Sequence, residues 1–407
     1  MSLQQVGPAP FLAPPCRAGR AVPVSLVLAT YVVALMGRFT LDRIGITEFG
    51  ELDLRTIVCP ALAVAALLWR FRPDYPDYRH PWAPSLLWML AVIGYLWLTV
   101  FWAPYAARTD ERVVDLVWMA LLIVVMVMVS GPDPARARRV VLAATFASGM
   151  LYAFSGLILR QTDEQGRTIA FGGGPNVYVR VVLLGALAAI ALAVVYRRKI
   201  FLVPVPLLAT AALLASSRGG VLSAGVTAAA FVVLCWRRLS VRAIVATVLM
   251  VIAGLAASLT LLDAKNLEMI QQRFVAAPQQ DQFSGRPELF DQGLVLFRDN
   301  PVVGGGLDSF YVRFGFNSDL GYPHNLVVDV AATGGVIGLA LLAGFVVALI
   351  RDVQPWRSLP GDAMAMIMAI VFITTASMFS GDFYDSRFLW IFAALAVNPP
   401  SQALDRP

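Results

Sequence analysis

Charge is what this sequence has least of. Only 14% of its 407 residues are Asp, Glu, Lys or Arg, while 58% are hydrophobic. An ordinary soluble domain carries about a quarter charged residues, so a water-soluble globular fold is excluded. Histidine occurs twice and cysteine three times. Cys16, Cys59 and Cys235 are far apart, two of them inside apolar runs, and give neither a disulfide framework nor a metal site. Pro14-Pro15 precede Cys16 without an apolar run, which argues against a lipoprotein signal; the first apolar run lacks a persuasive cleavage site and reads as a retained span. No HExxH, DxD or CxxC is present, so no metal is expected. The triplet Gly304-Gly305-Gly306 lacks the Lys-Ser/Thr and strand context of a nucleotide-binding loop. The net charge of +6 is ordinary for a membrane protein with cytoplasmic arginines. Without an arginine–aromatic stripe it does not point to nucleic acid.

Apolar runs of roughly membrane-spanning length fill most of the chain. They predict helices over 21–37, 56–71, 85–104, 112–130, 139–159, 176–196, 200–216, 219–237, 241–262, 326–350, 361–380 and 386–398. The expected class is therefore an all-α polytopic membrane protein of about twelve transmembrane helices. The 200–216 run would cover only about 25 Å and needs its neighbours or a thinned bilayer to cross.

An even number of spans puts both termini on one side. Three dense basic clusters, Arg136/Arg138/Arg139, Arg197/Arg198/Lys199 and Arg237/Arg238/Arg242, then share a face, which the positive-inside rule assigns to the cytoplasm. The expected organisation is a disordered cytoplasmic N-terminus over 1–20, nine spans over 21–262, an extracytoplasmic loop over 263–325, three spans over 326–398 and a cytoplasmic tail over 399–407. A loop of that length within a compact membrane protein is usually functional.

That loop and its surroundings hold the residues able to do chemistry. Arg218, in Ser216-Ser217-Arg218-Gly219-Gly220, stands between two apolar runs with no acidic residue between Glu164 and Asp263. An arginine at a membrane edge either snorkels to headgroups or is kept for an anion. Arg286 precedes Pro287, a residue suited to the first position of a helix that Asn300-Pro301 should end. A cation there opposes the helix dipole until a phosphate docks on the guanidinium and the backbone N–H groups together; bonding to loop carbonyls is the plainer alternative. His324, beside Tyr322 and Asn325, is the outer-side histidine, since His80 falls in a cytoplasmic loop. It can take a proton near neutral pH, although a lone interfacial histidine is more often structural. Arg160, Arg167 and Arg180 flank the outer loop around 160–175, and Asp382, Asp385 and Arg387 cluster before the last span, where they can simply pair with one another.

The run Ser284-Gly285-Arg286, Phe297, Asn300-Pro301, Gly304, Gly306, Phe310 and His324-Asn325, leading into an apolar span, resembles the O-antigen ligase and O-antigen polymerase superfamily. Ser216-Ser217-Arg218-Gly219-Gly220 and Gly173-Gly174-Pro175-Asn176 match two further landmarks of that group. The resemblance is close over about 160–340 and elsewhere rests on span count. It implies a GT-C-type membrane glycosyltransferase of the bacterial inner membrane, with short helices in its long loop and its active site facing the periplasm. The donor would be an undecaprenyl-diphosphate-linked O-antigen and the acceptor the lipid A–core oligosaccharide, with membrane lipids as surroundings and no metal, ATP or other cofactor. His324, Arg218 and Arg286 would be catalytic, and Arg160, Arg180, Tyr322, Asn325 and Arg387 would bind substrate. A polymerase joining lipid-linked repeats, a protein O-oligosaccharyltransferase and, in another class, a lipid-linked sugar transporter stay open as alternatives. A transporter should show internal repeats, and none is evident.

Overall fold

In a computed structural model, residues 22–41, 52–72, 82–235, 286–315, 321–353 and 359–397 are described, with isolated positions at 46, 48 and between 249 and 271. The predicted span at 241–262 and the chain leading to residue 285 lie for the most part outside the described residues. So do His80, the segments 1–20 and 399–407, and Ser284-Gly285.

The described residues form helices and turns, with no strand among them. In chain order these are α1 (Val24–Met36), α2 (Arg55–Arg70), α3 (Pro84–Leu98), α4 (Thr109–Ser130), α5 (Pro134–Ile158), α6 (Pro175–Val195), α7 (Val205–Leu214), α8 (Arg218–Cys235), α9 (Arg286–Asp299), α10 (Leu326–Asp352), α11 (Gly361–Ser377) and α12 (Arg387–Ala396). Proline opens α3, α5 and α6 at their first positions, where its missing N–H costs nothing. The expected 200–216 run is divided: a 3₁₀ turn, Lys199–Leu202, precedes α7. Pro204, which lacks an N–H for the ladder, stands at the division.

Among the described residues, five helices are long and apolar enough to cross a membrane, namely α3 with its 3₁₀ extension to Trp102, α4, α5, α6 and α10, and shorter apolar helices accompany them. The protein is accordingly an all-α, multi-pass membrane protein. Exposed apolar side chains are spread over the outer helix faces, among them Ile57 and Leu68 on α2, Trp88 on α3, Phe101 on the 3₁₀ turn after it, Phe154 on α5, and Val336 and Val347 on α10, where lipid is the natural neighbour. At the centre, every residue of α12 is buried, as are most of α11. α5 and α6 cross where Gly149 meets Gly185; a Cβ on Gly149 would stand 2.6 Å from the Gly185 Cα. Such close backbone approach is how membrane helices gain packing energy without a hydrophobic driving force. On the face away from His324, Arg138 of α5 donates to Asp362 of α11 at 2.9 Å and reaches the Leu395 carbonyl of α12.

α10 is not a regular helix. Gly335 has φ 61° and ψ −156°, a conformation open to glycine and strained for other residues. A break in a spanning helix leaves backbone groups that lipid cannot satisfy. Here the loop after α9 satisfies them: Val336 N–H donates to Pro301 O at 2.8 Å and Ile337 N–H to Val302 O at 3.3 Å. In return, Gly305 N–H donates to Ala332 O at 2.8 Å and Gly306 N–H to Thr333 O at 3.1 Å. Tyr95 of α3 adds a bond from its hydroxyl to Gly334 O. Leu289, Leu296, Phe310 and Ala332 form a small core between α9 and α10. The helix that begins at Arg286 is thus fastened to the helix that follows His324.

Candidate active site

Three helix N-termini meet on one face: α6 at Asn176, α8 at Ser217-Arg218, and α9 at Arg286. Asn176, Arg180, Ser217, Gly219, Gly220, Arg286 and Ser380 line a single cavity there. Ser217 joins two of these ends, donating its hydroxyl to Asn176 Oδ1 at 3.1 Å while Gly220 N–H reaches its Oγ. Helix N-termini carry partial positive charge and unpaired N–H groups, so the cavity suits an anion before any side chain is counted.

The arginines add to that. Arg180 is buried on α6, and one terminal nitrogen donates to the carbonyls of Ala376 and Ser380 at the end of α11. Its other two nitrogens make no hydrogen bond among the described residues. Arg286 makes no ion pair among the described residues. Burial pushes its guanidinium below the ordinary value, and Arg167, Arg218 and Arg180 push the same way against the pull of Tyr322. Like charges held together in partial burial are costly, and an anionic ligand removes that cost.

Beside this cavity stands His324. It has φ 55°, an uncommon conformation for a residue other than glycine, and is 9% exposed. Neither ring nitrogen has a hydrogen-bond partner among the described residues. Its ring packs on Tyr322 with centroids 4.2 Å apart. Burial lowers its pKa to about 4, helped by Arg286 and Arg180 and opposed by Asp382. The imidazole is therefore neutral at pH 7, with a lone pair to offer. Burial, with Asp385 and Asp382, raises the Tyr322 phenol well above its ordinary value and keeps it protonated.

Asn325 caps α10: its Oδ1 accepts from Val327 N–H at 3.0 Å and Val328 N–H at 3.1 Å, and its Nδ2 donates to Met378 O at 3.1 Å. With both ends occupied by backbone, its visible job is to hold the His324 turn against the end of α11. Arg387 spends its guanidinium on the carbonyls of Ala34 and Leu35 at the end of α1 and lies 3.8 Å from Asp385. Arg160 is exposed on the turn after α5, with φ 50°, and does not line the cavity. Arg167 is paired with Asp163 at 2.6 Å.

Sequence reasoning passed over a second polar cluster close by. Arg108 and Arg112 both bind Asp308, and Arg112 also binds Asp382 at 2.6 Å. Asp115 accepts from Arg38 and Arg55. Asp115 stands inside the apolar run that starts at Val113, which is the signal that could have marked it. Among the described residues no group of His, Cys, Asp and Glu is arranged to hold a metal ion.

Residues 203–343 match the O-antigen ligase family. That interval contains Arg218, Arg286, Tyr322, His324 and Asn325, whereas Asn176, Arg180 and Asp382 lie outside it. No curated protein matches the chain.

Proposed function

With residues 203–343 belonging to the O-antigen ligase and polymerase superfamily, we propose that the chain transfers an O-antigen glycan from undecaprenyl diphosphate to the lipid A–core oligosaccharide. The transfer takes place at the periplasmic face of the bacterial inner membrane, within a twelve-span GT-C-type architecture. The observation that carries this reading is the convergence of Arg180, Arg286 and three helix N-termini on one cavity beside a buried, unpartnered histidine.

In this mechanism the donor diphosphate lies across the cavity, held by Arg286, Arg218 and the open nitrogens of Arg180. Arginine forks suit this because a diphosphate gains charge as the glycosidic bond breaks, and fixed donors stabilise that charge more in the transition state than before it. The acceptor hydroxyl oxygen attacks the anomeric carbon while the bond from that carbon to the phosphate oxygen breaks. The bonding pair leaves with the diphosphate, the hydroxyl proton passes to a ring nitrogen of His324, and a single displacement inverts the anomeric centre. Burial first, then Arg286 and Arg180, make His324 a poor base, and Asp382 opposes them only in part. A docked diphosphate offsets their field and restores basicity when the donor is present. Base strength is thereby coupled to donor occupancy.

Purified protein in detergent, supplied with lipid-linked O-antigen and lipid A–core, should yield completed lipopolysaccharide on mass analysis. No product would refute the enzyme reading and leave the transporter. Deletion of the gene separates ligase from polymerase: a ligase mutant accumulates long lipid-linked polymer above bare core, whereas core bearing one repeat would identify a polymerase.

A further inference from the structure

Tyr322 has two sides. One carries the His324 ring; the residue also lines a second cavity, bounded by Arg112, Asp308, Asp329, Asp382 and Tyr384 and floored by Leu96, Leu116 and Leu307. Its character is opposite to that of the arginine cavity. Four aspartates line it, and three have cation partners: Asp115 with Arg38 and Arg55, Asp308 with Arg108 and Arg112, and Asp382 with Arg112. Asp329, in the first turn of α10, has none among the described residues. Its Oδ2 accepts from Phe383 N–H at 3.0 Å, and its Oδ1 makes no hydrogen bond among those residues.

Charges this closely paired give a phosphate little net attraction, whereas a polyhydroxylated neutral ring fits such a place. Carboxylates accept from sugar hydroxyls, guanidiniums donate to them, and an aromatic ring such as that of Tyr322 can pack on a pyranose. His324, nine-tenths buried and with neither ring nitrogen hydrogen-bonded among the described residues, packs on Tyr322 of this cavity and lies within the electrostatic reach of Arg286 and Arg180 of the arginine cavity. A hydroxyl presented past Tyr322 would meet it.

Resting on the reading of the arginine cavity as the diphosphate site, we propose that the aspartate-lined cavity is the acceptor-sugar subsite. In it Asp329 accepts a hydrogen bond from an acceptor hydroxyl and sets which hydroxyl faces His324. The subsite would take a sugar acceptor whether the acceptor is a core oligosaccharide or the end of a lipid-linked repeat.

The test is a split of kinetic constants in detergent, with lipid A–core as acceptor and lipid-linked O-antigen as donor. Asp329→Asn keeps an oxygen for Phe383 N–H but weakens the bond to the sugar; it should raise the acceptor KM about tenfold and leave the donor KM within about twofold. Leu307→Phe narrows the same cavity from its apolar floor, should act in the same direction, and keeps the test alive if Asp329→Asn does not fold. A donor KM that rises in place of the acceptor KM would overturn the subsite. Binding of undecaprenyl diphosphate, measured on the same samples, separates the two ideas. Wild-type protein that fails to bind it overturns the arginine site and the subsite with it. Wild-type binding with unchanged acceptor KM in both variants overturns the subsite alone.

Discussion

Tyr322 and His324 lie ring against ring, 4.2 Å between centroids, with one residue of chain between them. The contact seals the histidine from water on one side, and burial together with Arg286 and Arg180 holds it neutral down to about pH 4. Stability should carry that signature. An unfolded histidine protonates near pH 6.5, so between about pH 6.5 and pH 4 the unfolded chain binds the extra proton. Folding stability from this residue should therefore fall as pH is lowered through that window and be flat above it. Thermal melts in detergent across this range should show a steeper loss for wild type than for His324→Gln; parallel curves would contradict the buried neutral state.

Transfer itself should depend on the same ring. His324→Ala should fold and bind donor yet lose activity by about 10²- to 10⁴-fold, the usual worth of a general base. Reconstituted turnover measures this, and full capping by the variant would remove His324 from proton transfer.

For Arg286, the informative change is to lysine. Charge stays, but the planar fork that binds two phosphate oxygens is lost, and donor affinity should fall by about tenfold, near 1.4 kcal/mol. Titration with undecaprenyl diphosphate checks it. Unchanged affinity would mean that Arg286 acts as a point charge only.

Asn325→Ala removes the cap of α10 and the tie to Met378 O. Loss of a cap costs about 1 kcal/mol, which should lower the melting temperature by a few degrees. Asn325→Ser should recover most of the stability by capping again. It should recover less of the turnover, because serine cannot also reach Met378.

At the far face, Arg138 and Asp362 form a buried pair. Asp362→Ala strands a guanidinium among α5, α11 and α12, a change of about 3–5 kcal/mol. Greatly reduced yield of folded protein is expected, with partial recovery in the double variant Asp362→Ala with Arg138→Leu.

Much of this architecture can be read from the chain in order. Apolar runs locate the described helices within a few residues, because lipid leaves a backbone little choice but to form helices. Pro287 and Asn300-Pro301 bracket α9 as observed. What could not be read depends on partners distant in sequence. Arg180 looks like an isolated arginine until Ala376 and Ser380, some two hundred residues on, supply its carbonyls. Arg387 reads as substrate-facing until Ala34 and Leu35 take its donors. Arg112 gives no local hint that Asp308 and Asp382 will meet on it. Gly334-Gly335 sits in an unbroken apolar run, so the irregular turn at Gly335 shows only once the chain at 301–306 is seen to fill it.

That turn makes two amides inside a spanning helix depend on a segment from outside the helix. Val336 and Ile337 donate to Pro301 and Val302, so these bonds last while that segment stays in place. Their deuterium uptake would therefore record, from within the bilayer, each excursion of the arm that carries Arg286. A substrate that draws that arm inward should slow exchange at two positions it never touches.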